Sequence, residues 1–258
     1  MTKITRRLCS ALALAFCLAA SAVAQPAASA TPIPPSYALL SLVGDQFTVV
    51  TRREESASRI DSNVRRSYAI DAAALDDAAL DAAEAVVKRL RPVSPVVRFS
   101  IRDPRLFALQ DKVLTDTSGL REALAKVVRE QQATRLVLVT KWRDDANFKI
   151  VSGATGTGKL SGLGFYVDPV TRMEATSTGE ATSGFLGPYA YVNVTIVDAE
   201  AMKPLRSAQA RESEMSLPLH SQGAVVAWDA LTPAAKVDAL VRVVRRAVET
   251  AAAQALAD

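Results

Sequence analysis

The chain carries two cysteines in 258 residues, Cys9 and Cys17, and both lie in a leader built to be removed. Lys3, Arg6 and Arg7 form a basic head, Leu8 to Ala20 an apolar core, and Ala22-Val23-Ala24 a small–x–small end. This is the pattern of a secretory signal peptide, with cleavage expected between Ala24 and Gln25. The apolar core is too short for a membrane span, which takes roughly 20 helical residues. Lipidation needs a small residue just before the modified cysteine, and Phe16 and Leu8 stand there instead. The expected mature chain is therefore thiol-free. It has no disulfide, no thiol nucleophile and no thiolate metal ligand, so its core must come from apolar packing.

Loss of the leader also changes the charge. The whole chain has 31 Lys and Arg against 27 Asp and Glu, a net of +4. The leader holds three of those bases and no acid, which leaves 28 against 27, or +1. A nucleic-acid partner loses its main support with that basicity. The remaining 234 residues suffice for one large domain with a real core. No later apolar run reaches 18 residues, so no integral membrane segment is expected after cleavage.

Residues 25–36 (QPAASATPIPPS) read as an extended tether. Tyr37 to Val43 and Phe47 to Arg52 flank Gly44-Asp45 and predict a β-hairpin. Val64 to Ile70 predicts a strand near an edge, given Arg65 and Arg66. Leu75, Ala79, Ala82, Ala83, Val86 and Leu90 predict a helix over 71–91, capped by Asp71 and stopped by Pro92. Its early acids Asp76, Asp77, Asp81 and Glu84 read as a solvated, dipole-matched face, because their spacing fits no calcium loop. A strand at Val96 to Ile101 precedes Asp103-Pro104, a strong helix start with the helix running to about Leu114. Another helix is expected over 119–131. Arg135 to Trp142 reads as a central strand, apolar on both faces over Leu136 to Val139. Residues 144–188 form a Gly-, Ser- and Thr-rich insertion with short strands at Phe148–Val151 and Leu163–Val167. Strands at Tyr189–Asp198 and near Leu205–Met215 follow, then a loop over 216–231. Thr232-Pro233 opens the last helix, buried through Val237, Leu240, Val241, Val244 and Val248, with Arg242, Arg245 and Arg246 outward.

Gly153-Ala-Thr-Gly156-Thr-Gly158-Lys159 fits G-x-x-x-x-G-K, the loop whose backbone N–H groups cradle phosphates. Leu160 stands where the magnesium-binding hydroxyl belongs, and Gly162, Gly164 and Pro169 oppose the required helix. A Gly-rich connection between strands is the expectation. The single histidine, His220, sits in a loop beside Ser221 with no G-x-S-x-G elbow. One His and no Cys argue against zinc. Asp144, Asp145 and Asp168 end predicted strands, where paired carboxylates could serve hydrolysis at the right separation. Tyr189 and Tyr191 share a strand face and read as packing.

Taken in order, residues 118–250 run helix, LVLVTKW strand, Gly-rich insertion, YVNVTIVDAEAMKPLRSAQARES and a capped helix. This resembles the periplasmic α/β domain of the curli-secretion channel family and of lipoprotein activators of peptidoglycan synthases. The counterparts are Val197-Asp198-Ala199 and the small-residue run Arg206 to Ala210. The resemblance implies a binding or assembly role in the envelope and carries no catalytic residue. The expected fold is α/β over 37–258, a mixed sheet covered by about four helices with an N-terminal β-hairpin extension. The expected function is that of an exported periplasmic, non-enzymatic binding or accessory protein whose partner is another envelope protein. No metal, cofactor or oligomeric state is assigned. A periplasmic hydrolase using His220 or the strand-end carboxylates is the alternative. Long insertions on a rigid scaffold are where binding sits, so Trp142, Asp144, Asp145, Lys159, Tyr166 and Asp168 are the candidate binding residues.

Overall fold

The computed structural model describes residues 34–53, 61–70, 73–101, 103–115, 119–150, 153–174, 181–215 and 228–257. The leader, Asp71, His220 and Ser221 lie outside them. The fold is α/β: one mixed sheet with helices on both faces.

The sheet is organised by one long strand. β10 (Ala181–Asp198) follows β9 (Lys159–Glu174), and residues 181–191 pair antiparallel with 174–162 of it. Residues 192–198 of β10 pair with β5 (Arg135–Lys141), and residues 189–198 pair with β11 (Lys203–Ser213). Because Tyr189 to Tyr191 pair with β9 and β11 at once, β9 shares an edge of β10 with β5, end to end. The next pair repeats this arrangement. β1 (Tyr37–Ser41) lies parallel to β5, and β2 (Gln46–Thr51) parallel to β9. The flanks are β4 (Val96–Arg98), parallel to β1, and β3 (Val64–Ala69), antiparallel to β2. A seam therefore crosses the sheet where β1 and β5 end and β2 and β9 take over. The insertion adds β6 (Arg143–Asp145) against β9, and the small pair β7 (Phe148–Ile150) and β8 (Gly153–Thr155).

Two expectations change here. β1 and β2 are strands around the Gly44-Asp45 turn, but they are not each other's partners. Every residue of β1 is buried, so it belongs inside the sheet between β4 and β5, and the hairpin is β2–β3 instead. The 144–188 stretch is largely strand, with β9 beginning four residues before Leu163 and β10 eight before Tyr189. Gly162, Gly164 and Gly187 do not break these strands, because each lies where another chain segment approaches closely.

α1 (Ala74–Leu90) and α4 (Pro233–Leu256) cover one face. They meet through small side chains, among them Ala79 and Ala83 on α1 and Ala247 and Ala251 on α4. The buried stripe of α4 runs through Leu240, Val243, Val244, Ala247 and Val248 to Leu256, with Val237 and Val241 only partly covered. Thr232 caps it by accepting from the Ala235 N–H at 3.2 Å. α2 (Pro104–Ala108) and α3 (Leu120–Glu130) cover the other face against Leu40, Leu136, Leu138 and Val197. α2 starts at the expected cap, with Asp103 accepting from the Arg105 N–H at 2.9 Å, but stops well before Leu114. Just past its end the Gln110 side chain donates to the Phe107 carbonyl at 2.8 Å. A third cluster of Val50, Phe148, Leu160, Tyr166, Phe185, Tyr189 and Tyr191 lies beneath the insertion.

The outward arginines of α4 are fastened to the body. Arg242 and Arg246 reach Glu214 at 3.2 and 2.8 Å, and Arg245 reaches Asp81 at 3.2 Å. Asp81 and Glu84 also hold Arg98 of β4. Among the described residues no helix is long and apolar enough to cross a membrane.

Candidate functional site

The six predicted binding residues do not all meet in one place: Asp145 and Lys159 are brought together, and Asp168 lies apart from them. Asp144 of β6 accepts from Arg211 of β11 at 2.8 Å. Asp145 pairs with Lys159 at 2.7 Å across β6 and β9. Asp168 lies nine residues further along β9, about 30 Å away by strand rise. It is fully buried and accepts from the Val170 and Thr171 N–H groups at 2.8 Å, the Thr171 hydroxyl at 2.7 Å and Arg52 at 3.0 Å. Burial pushes its carboxyl up, but these donors outweigh burial and hold it below the ordinary value. Tyr166 is buried, its phenol raised by that burial and accepting from the Thr157 N–H at 3.0 Å. Tyr191, pushed up to about 12 chiefly by burial, donates to the Asp145 carbonyl and accepts from the Asn147 N–H. These phenols clasp the insertion onto the sheet. The described part of the insertion packs over an aromatic cluster, to which Tyr166 and Tyr191 belong.

The glycine–lysine motif is likewise structural. Gly153–Thr155 is a strand and Lys159 opens another, so no helix N-terminus faces the loop. The Thr157 and Lys159 N–H groups, which would bind phosphate, are taken by Tyr166 and Asp61.

The built crevice lies elsewhere, at the seam. The chain leaves β1 through the Gly44-Asp45 turn into β2 and β3 and only then enters α1 on one face, whereas it leaves β4 toward α2 and α3 on the other. These diverging paths leave a gap beyond the carboxyl ends of the adjacent parallel strands β1 and β4, the side on which open α/β sheets bind ligands. Here that gap is a cavity of about 310 Å³ lined by Ser41, Asp45, Asp76, Asp77 and Ser100, with Ile70, Leu80, Ile101 and Phe107 as its apolar wall. It continues past Asp45, Pro104 and Phe107 into a cleft of about 570 Å³ bordered by Gln110, Lys141, Trp142, Arg143 and Ser161. Trp142 is the one predicted site residue that lines it.

The crevice is built from both chain ends of the β1–β2 break. Asp76 in the first turn of α1 accepts, on one oxygen, from the Ser41 hydroxyl at 2.5 Å and the Val43 and Gly44 N–H groups at 3.1 Å. Burial raises this carboxyl above its ordinary value despite those donors. A Cβ on residue 44 would lie 2.6 Å from Asp76 Oδ2, so the turn requires glycine for close approach. Lys141, at the end of β5, pairs with Asp45, and its N–H donates to Gln110 Oε1 at 2.6 Å. The site thus carries a fixed acidic floor, one paired cation and an apolar side. Sequence reading placed Asp76 on a solvated helix face; it missed the inward role because Ser41 is 35 residues away. The available signal was the Asp in the first helical turn after a strand followed by Gly44-Asp45.

No protein-family model matches the chain, and no curated protein sequence matches it. Among solved structures, the crystal structure of a DUF330-family protein from Xanthomonas campestris aligns with 87% of this chain and 82% of its own at 7% identity. Its TM-score is 0.29, too low to bear on fold or function.

Proposed function

We propose that this chain is exported to the bacterial periplasm, loses residues 1–24, and acts there as a non-enzymatic binding protein for another component of the cell envelope. The seam crevice between the ends of β1 and β4 is its gripping surface. One observation carries this reading: the crevice is a cavity at the carboxyl ends of two adjacent parallel strands, and the strand-end carboxylates stand outside it. Asp144, Asp145 and Asp168 are each committed to a separate cation partner. Hydrolysis by a carboxylate pair needs two acids facing one bond within roughly 5 to 10 Å, and Asp168 stands far from the other two. The basic leader and its Ala-x-Ala end support export.

The test has two parts. Expressed from Met1 in a Gram-negative host, the protein is expected in the periplasmic extract with a mass that begins at Gln25. A photo-crosslinking residue at Phe107, inside the crevice, should then capture one discrete envelope protein, and Ser100→Trp should abolish that adduct. Intact chain in the cytosol would overturn export. An adduct that Ser100→Trp leaves unchanged would overturn the crevice as the binding surface.

A further inference from the structure

β11 is an edge strand, and its free side is self-complementary. Among the described residues it pairs only with β10. The Glu214 N–H donates to the Pro188 carbonyl at 3.1 Å, in register with Tyr189 opposite Ser213. Antiparallel pairs alternate, so the even residues Arg206 to Glu212 aim their backbone groups at β10. Ser207, Gln209 and Arg211 aim theirs outward. All three are exposed.

Natural sheets guard such edges with Pro, Lys and bulges. Lys203, Pro204 and the register shift beside Leu205 guard the start of β11, and the protection ends there. From Ser207 onward the pairing with β10 has no register shift, and no other described strand pairs with the outer edge.

We propose that two copies of this chain join through β11, antiparallel about a two-fold axis at Gln209, making one continuous sheet. Gln209 then faces its own counterpart, and Ser207 faces Arg211 of the second copy. Each copy offers three outward N–H and three outward C=O groups, which make about six backbone hydrogen bonds, within the range of ordinary interfaces. The charges select this register. It sets Arg206 directly opposite Glu212 of the second copy, twice, at non-hydrogen-bonded positions where side chains lie closest. Moving the axis to residue 207 would set Lys203 against Arg211, two like charges. Ala208 and Ala210 meet across the axis and leave room for the approach. Arg206 is exposed, whereas Glu212 is half-buried and lies 3.8 Å from Arg246 of its own chain.

The full chain with Cys9→Ser and Cys17→Ser provides a thiol-free background. In it, Gln209→Cys should oxidise to a covalent dimer at least ten times faster than Leu205→Cys. Position 209 meets itself within disulfide reach, while position 205 and its counterpart stand roughly 27 Å apart. Light scattering should show a dimer for the unaltered chain. Arg206→Glu should raise its dissociation constant at least tenfold, and adding Glu212→Arg should restore most of that loss. A monomeric unaltered chain, equal oxidation of the two cysteine variants, or no recovery in the double variant would overturn the proposal.

Discussion

Asp168 shows how far a single residue's role depends on what surrounds it. As a carboxylate near a strand end it qualifies as a ligand or a catalytic acid. In the fold it is a sealed anchor, holding the end of β2 through Arg52 and the turn of β9 through Val170 and Thr171. Its lowered folded value sets the sign of its pH dependence. The stabilisation is complete above the unfolded Asp value near 3.9 and disappears as pH falls through the lower folded one. Asp168→Asn places an amide donor among four donors and strips the charge from a buried partner of Arg52. We expect a loss of about 3 kcal/mol in urea unfolding at pH 7. The gap to the unaltered protein should narrow below pH about 4. The residue type was legible in the sequence; the partner, 116 residues earlier, was not.

Elements were legible where local chemistry specifies them. Asp103-Pro104 and Thr232-Pro233 start helices as capping rules require, since cap and proline act within one turn. β5 was legible because a run apolar on both faces has nowhere to go but a sheet centre. Sequence reading finds Tyr189–Asp198 as a strand, but it gives β9 only as a short strand at Leu163–Val167 and keeps the first half of β10 in the Gly-rich insertion, because their glycines look like breaks. Gly164 shows why they are not. It pairs with Tyr189 on one side and Thr48 on the other, and a Cβ there would overlap the Thr48 carbonyl oxygen and crowd the Tyr189 ring. Gly164→Ala should therefore cost about 3 kcal/mol, read by thermal or urea unfolding, through forced separation of β2 from β9. The same substitution at an exposed glycine, Gly153, should cost less, because nothing lies within 4 Å of a Cβ there, and the strain of its positive φ is the whole penalty.

At the scale of the whole molecule the sheet is a single hydrogen-bonded body with a strong middle and weak rims. β1 and β5 are buried on both faces between the two helical layers, while five of six residues in β3 are exposed. Native-state hydrogen exchange should follow that order. Amides of Leu39, Leu40, Val137 and Leu138 are expected to exchange only through global opening, and those of β3 through local fraying at rates at least a hundredfold faster. A sheet that opened along the seam instead would expose β1 and β3 together and erase the difference. The sequence by itself determined the confinement of both cysteines to the first 17 residues, the capped helices and the apolar central strand, because each of these is written in neighbouring residues. Tertiary structure alone decided that β1 and β2 part company at Gly44, that the tyrosines close over the insertion, and that the crevice opens beside Asp76. Those outcomes depend on which distant segments compete for the same sheet edge and the same buried space, and no local pattern records that competition.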